Sequence, residues 1–187
     1  MNIKRLLLTG MIASAVIAPL ASHSLAQAGY PTPHASKPGT TLVEEVRRAT
    51  ASFQDVKNAQ AAGYALFHGC VSGPDGGAMG LHFVNGDLVG DGKLDATRPE
   101  ALLYEMHGGR MQLVAVEYLV FADAWDKANT MPPTLMGQVF NYYGSPNRYR
   151  LPANYALHVW LKSNPNGTFA DWNPKVSCDE YAADDTM

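Results

Sequence analysis

After residue 20 the sequence has no apolar run approaching the roughly 20 residues that a bilayer-spanning helix needs. Basic charge is also scarce: 14 lysines and arginines stand against 17 aspartates and glutamates, a formal net charge of −3. That balance argues against nucleic acid as a partner, because phosphates call for a basic surface. Ser72 and Ser145 lack the small-residue elbow that exposes a hydrolase nucleophile. The glycine-rich stretch 73–80 fits neither a phosphate-binding loop nor a dinucleotide fingerprint, and no Lys-Ser/Thr pair follows it. No internal repeat is present.

What is there begins with an address. Lys4 and Arg5 precede an uncharged apolar run, Leu6 to Leu20, and Ala26-Gln27-Ala28 supplies a small–x–small cleavage pattern. Residues 1–28 are therefore expected to be a cleaved secretory signal peptide, and the mature chain to be secreted or periplasmic with no membrane span. Their removal takes two cations and no acidic residue, which moves the formal charge from −3 to −5. In an oxidising compartment Cys70 and Cys178 are expected to pair. Such a bond closes a loop of roughly 100 residues, worth up to about 4.7 kcal/mol in the chain-entropy view.

Residues 29–39, with three prolines and no apolar period, read as an extended arm. Residues 40–181 read as a single α+β domain, and 182–187 as an acidic, frayed tail. Thr41 and Glu44 form a capping-box pattern. Leu42, Val46, Ala49, Phe53, Val56 and Gln60 then recur at helical spacing, which predicts one long helix over 41–62 with Gly63 as its stop. Strands are expected at Leu81–Val84, Ala101–Met106, Met111–Phe121 and Tyr155–Lys162, with Gly108-Gly109 turning a hairpin between the second and third. Phe121–Asn129 and a stretch from Pro132 to Val139 read as short helical pieces, and 141–154 and 163–177 as aromatic-rich loops. The whole is an antiparallel sheet of four or more strands, able to curl into a partial barrel, with the N-terminal helix on one face.

The other face is where chemistry can sit. His82, Glu117 and His158 each lie inside an apolar strand, and a carboxylate in the most apolar of them must be paired, protonated or bound to a cation. Two imidazoles and one carboxylate suit a divalent transition metal, Zn, Fe, Cu or Mn, with positions left open for water or substrate. A two-residue turn at Gly108-Gly109 sets Glu100 opposite Glu117, whereas a three-residue turn moves Glu105 onto the face of Glu117. Either acid could then serve as fourth ligand or proton acceptor, so Glu100 and Glu105 are the candidate catalytic residues. His68 and His107 read as loop and hairpin-tip residues. Asp87 to Asp95 fills part of a calcium-loop pattern but carries Val89 and Arg98 where oxygen ligands belong, and so reads as a solvated turn. The expected function is binding of one metal, with a small-molecule substrate or ligand. The alternative is a non-catalytic periplasmic small-molecule-binding module built on Tyr142, Tyr143, Tyr149, Tyr155, Trp160, Phe169 and Trp172.

Overall fold

The capping box at Thr41 forms: the Thr41 N–H donates to Glu44 at 2.8 Å and the Glu44 N–H donates back to the Thr41 hydroxyl at 3.3 Å. The computed structural model describes residues 41–73 and 76–181, so the expected signal peptide, arm and acidic tail lie outside the described residues. The helix expected over 41–62 is divided into α1 (Leu42–Ala49), a 3-10 turn (Ala51–Gln54) and α2 (Val56–Ala61). Thr50 ends α1 by turning its hydroxyl onto the Val46 carbonyl at 2.8 Å, the local bond by which a threonine competes with the helix ladder. Asp55 then starts α2 by accepting from the Lys57 N–H at 3.0 Å.

The sheet has six antiparallel strands in the order β1-β2-β3-β4-β8-β7 and curls into a half-barrel. Its strands are β1 (Ala65–Gly73), β2 (Gly77–Val84), β3 (Ala101–His107), β4 (Arg110–Phe121), β7 (Asn141–Tyr143) and β8 (Asn154–Trp160). After β2 the Asn85 side-chain Oδ1 accepts from the Asp87 and Leu88 N–H groups and caps α3 (Gly86–Asp91). Helix α4 (Ala122–Asp126) follows β4, within the stretch expected to be helical. The helical piece expected at 132–139 is instead a small hairpin of β5 (Thr134–Leu135) and β6 (Gln138–Val139), turned by Met136 and Gly137, both at positive φ.

Leu81, Phe83, Leu102, Tyr104, Leu113, Val116, Leu157 and Val159 pack under Leu42, Val46 and Ala59 on the helix-covered face. The opposite face carries Met79, Ala101, Leu103, Val114, Ala115 and Trp160. The 163–178 segment covers part of that second face. Asn173 exchanges two backbone hydrogen bonds with Ala78, Val176 is buried there, and Cys178 is bonded to Cys70 as expected.

Two irregularities decide which side chains face the second side. The hairpin pairs His107 with Arg110 and Tyr104 with Leu113, as a two-residue Gly108-Gly109 turn requires. A bulge then intervenes, Leu103 pairs with Ala115, and Glu117 stands opposite Ala101 rather than Glu100. Strict alternation would place Leu113 and Glu117 on the same face. The extra residue in β4 lets Leu113 lie under the helices while Glu117 faces the other way. On β1, three residues (Phe67, His68 and Gly69) stand against the single His82, because Leu66 pairs with Phe83 and Cys70 with Leu81. The edge strand therefore bows away from His82.

Candidate metal centre

His82 comes from β2, Glu117 from β4 and His158 from β8. Glu117 and His158 are direct cross-strand partners, so their side chains rise together. His82 and Glu117 are separated by β3, and strands two apart in a flat sheet lie about 9.6 Å from one another. The curl of the sheet shortens that span. The residue of β3 paired with Glu117 is Ala101, whose methyl leaves the space above it open. His82 Nε2 lies 3.8 Å from one Glu117 oxygen and His158 Nε2 lies 3.9 Å from the other. One ligand atom from each residue can be chosen so that all lie within 4.8 Å of one another. Donors about 2.0–2.2 Å from a common ion can be at most about 4.4 Å apart, so the two His–Glu spacings already fit and the widest needs to close by less than about 1 Å.

The two imidazoles are buried with little to bond to. Nδ1 of His82 and both ring nitrogens of His158 have no hydrogen-bond partner among the described residues. Buried polar nitrogens are costly when unsatisfied, and His158 Nε2, the one of the three that faces Glu117, calls for an additional partner. Burial, with the neighbouring His158 ring, pushes His82 down to about 3 and keeps it neutral, the form that ligates metals. Burial raises Glu117, opposed by His158. Its side chain is 14 % exposed, toward a cavity that it lines. His82, Glu117 and His158 are thus brought together as the sequence suggested, and the group could hold a metal ion.

Asp171 has no counterpart in the sequence expectations. It sits in the 163–178 segment with Oδ1 3.7 Å from His158 Nδ1. That same oxygen accepts from the Tyr143 hydroxyl at 2.5 Å and from the Asn141 side-chain amide at 3.3 Å. A carboxylate behind a histidine fixes the ring and directs its other nitrogen. No motif marks Asp171, because Asp is ordinary in a loop; only the strand β7, in a stretch whose Pro, Gly and Asn content reads as loop, holds the partners that fix it.

Glu100 and Glu105 separate sharply. Glu100 is 1 % exposed, lines the cavity, and accepts from the Leu119 N–H at 3.1 Å. Carried two residues further, the β3–β4 register would bring Pro99 opposite Leu119. The Pro99 carbonyl instead accepts from the Tyr64 hydroxyl at 2.7 Å, and the Glu100 carboxyl takes its place in the ladder. Burial pushes Glu100 up to about 8. Glu105 does share the face of Glu117, but four residues along β3 from Ala101, and it is absent from the cavity wall. One of its oxygens pairs with Lys162 and the other accepts from the Ser177 N–H at 3.1 Å, so Glu105 anchors the C-terminal segment and is not available to the site.

His68 lies on β1, not in a loop, and lines the cavity with Nε2 3.3 Å from the Tyr149 carbonyl. His107 sits at the hairpin end, 3.8 Å from Glu180. The cavity has a volume of about 410 Å³. Of the aromatic group read from the sequence, Tyr143 and Tyr149 reach its wall, whereas Trp160 is buried in the second-face core with Trp172 packed against it. Compared with protein-family models, curated proteins and solved structures, the chain has no match.

Proposed function

We propose that this protein binds one divalent transition metal through His82, Glu117 and His158 and presents it to a small organic molecule held in the adjoining cavity. The observation that supports this reading is the convergence of two buried imidazoles, each through its Nε2, on the Glu117 carboxylate at spacings too long for hydrogen bonds, with one ligand atom from each residue inside 4.8 Å of the others. Three protein donors with a cavity beside them leave coordination positions free, the arrangement of a reactive site and not of a closed structural one. When bound, a metal there would act as a Lewis acid or activate water or oxygen, according to its identity. In this reading Asp171 holds the His158 ring. Glu100, which keeps its proton below about pH 8, serves as a proton donor rather than the proton acceptor first considered. The leader-like residues 1–28 and the Cys70–Cys178 bond support export.

The test is metal analysis of protein purified without an affinity tag. It should find close to one equivalent of a transition metal, and His82→Ala and His158→Ala should each abolish it. Stoichiometric metal surviving both substitutions would sink the ligand set. The apolar cavity favours a second reading, a non-catalytic small-molecule-binding module. Metal-free wild-type protein that still binds apolar molecules, read by tryptophan fluorescence, would select that reading.

A further inference from the structure

The cavity differs between its two ends. At the inner end are His82 and His158, both buried, with Glu117. At the outer end are Leu66 and Phe67, 44 % and 48 % exposed on the bowed edge strand. The rest of the wall is largely apolar, including Val71, Met79, Leu119 and Phe121. Among the described residues no lysine or arginine lines it.

Charge balance narrows what can fill such a space. A divalent ion beside the Glu117 carboxylate and two neutral imidazoles carries one net positive charge toward the cavity; the Asp171 carboxylate lies behind His158, partly solvated and outside the cavity wall. Glu100, protonated below about pH 8, adds none. One negative charge on the ligand completes neutrality. A second negative charge would lie against apolar wall with no cation to meet it, and burying an unpaired charge is prohibitive.

The geometry points to a monoanionic organic acid with an uncharged apolar body as the occupant, which we infer enters head first, its carboxylate at the His82–Glu117–His158 centre and its body along Leu66 and Phe67. This rests on the metal reading above. It goes further in naming one acidic head, an apolar body and a direction of entry.

Octanoate, acetate, octanedioate and n-octanol are the probes, titrated by calorimetry into protein whose zinc content has been measured in the same sample. Octanoate should bind at least about tenfold tighter than acetate, since each buried methylene is worth roughly fourfold. Octanedioate, with a second charge at the far end, should lose that gain, and n-octanol, with no acidic head, should bind at least about tenfold more weakly than octanoate. Phe67→Asp, at an exposed position, should weaken octanoate while leaving acetate and zinc content unchanged. His158→Ala should reduce octanoate to the level of n-octanol. If zinc is stoichiometric but octanoate and acetate bind equally, or octanedioate matches octanoate, the ligand class is wrong and the metal reading stands. If wild-type protein takes up none of zinc, iron, copper or manganese, both fall together.

Discussion

Ala101 shows how much a residue can contribute by being small. It supplies no donor, yet its methyl leaves the gap across which His82 and Glu117 approach to 3.8 Å. The donors themselves were legible in the sequence because imidazole and carboxylate stand out in strands such as Leu-Val-Ala-Val-Glu-Tyr-Leu-Val. Asp171 was not, since its role depends on where β7 brings Tyr143 and Asn141. Its effect is measurable: Asp171→Ala should weaken metal affinity by about 10- to 100-fold, the usual cost of losing the group behind a ligating histidine. Competition with a chromogenic chelator would check this, and unchanged affinity would exclude that role for Asp171. Glu100 makes a pH prediction. Its folded-state pKa is raised from 4.5 to about 8, so the folded protein keeps a proton that the unfolded chain releases. Its contribution to stability is full at low pH and is lost as pH rises through that window. Glu100→Gln cannot ionise. The variant should therefore gain on the wild type, by an amount on the order of a few kcal/mol, between about pH 5 and about pH 8.5. Urea unfolding of both proteins in the presence of chelator measures it, and parallel pH profiles would count against a buried, proton-holding Glu100.

Among the elements, β4 carries the most consequence. The turn chemistry of Gly108-Gly109 correctly gave the pairing as far as Tyr104 and Leu113. It could not give the rest, because Val114 and Ala115 are both apolar and nothing in their side chains announces a bulge. The expected opposition of Glu100 and Glu117 failed on that one extra residue. Removing it should restore plain alternation while keeping Leu113 under the helices and Glu117 on the cavity side. Deletion of Val114 is therefore expected to retain stoichiometric zinc uptake, at a stability cost of about 2 kcal/mol for the lost side-chain burial. A well-folded deletion variant that binds no zinc would show that the bulge shapes the site beyond setting the face. β1 was missed for a different reason. Its run Ala-Leu-Phe-His-Gly-Cys-Val-Ser-Gly has no clean alternation, and the structure shows why, with three of its residues set against one of β2. The broken N-terminal helix was written in Thr50 and Asp55, a stop and a start overshadowed by the longer apolar period.

For the molecule as a whole, the Cys70–Cys178 bond spans a sequence separation of 108 residues. It joins β1 to the segment that crosses the second face, beside the anchors at Asn173 and Glu105. Replacing both cysteines by serine should cost about 2–4 kcal/mol, read as a lower denaturation midpoint with a steeper denaturant slope, because the unlinked unfolded chain is more expanded. A midpoint equal to wild type would mean that those anchors alone hold the segment. The α+β class and antiparallel sheet were legible from the run of short apolar strands and one amphipathic face. The strap of residues 163–178 over the sheet was not, because its positioning rests on long-range backbone bonds at Asn173 and on the Glu105 side chain. The three donors are contributed by β2, β4 and β8, so no stretch of the unfolded chain contains the set. A metal that binds only the assembled sheet acts as a lever on the folding equilibrium. At a free concentration 100-fold above its dissociation constant it adds about 2.7 kcal/mol to the native state. The melting temperature of wild-type protein should therefore climb with added zinc, while that of His158→Ala stays flat.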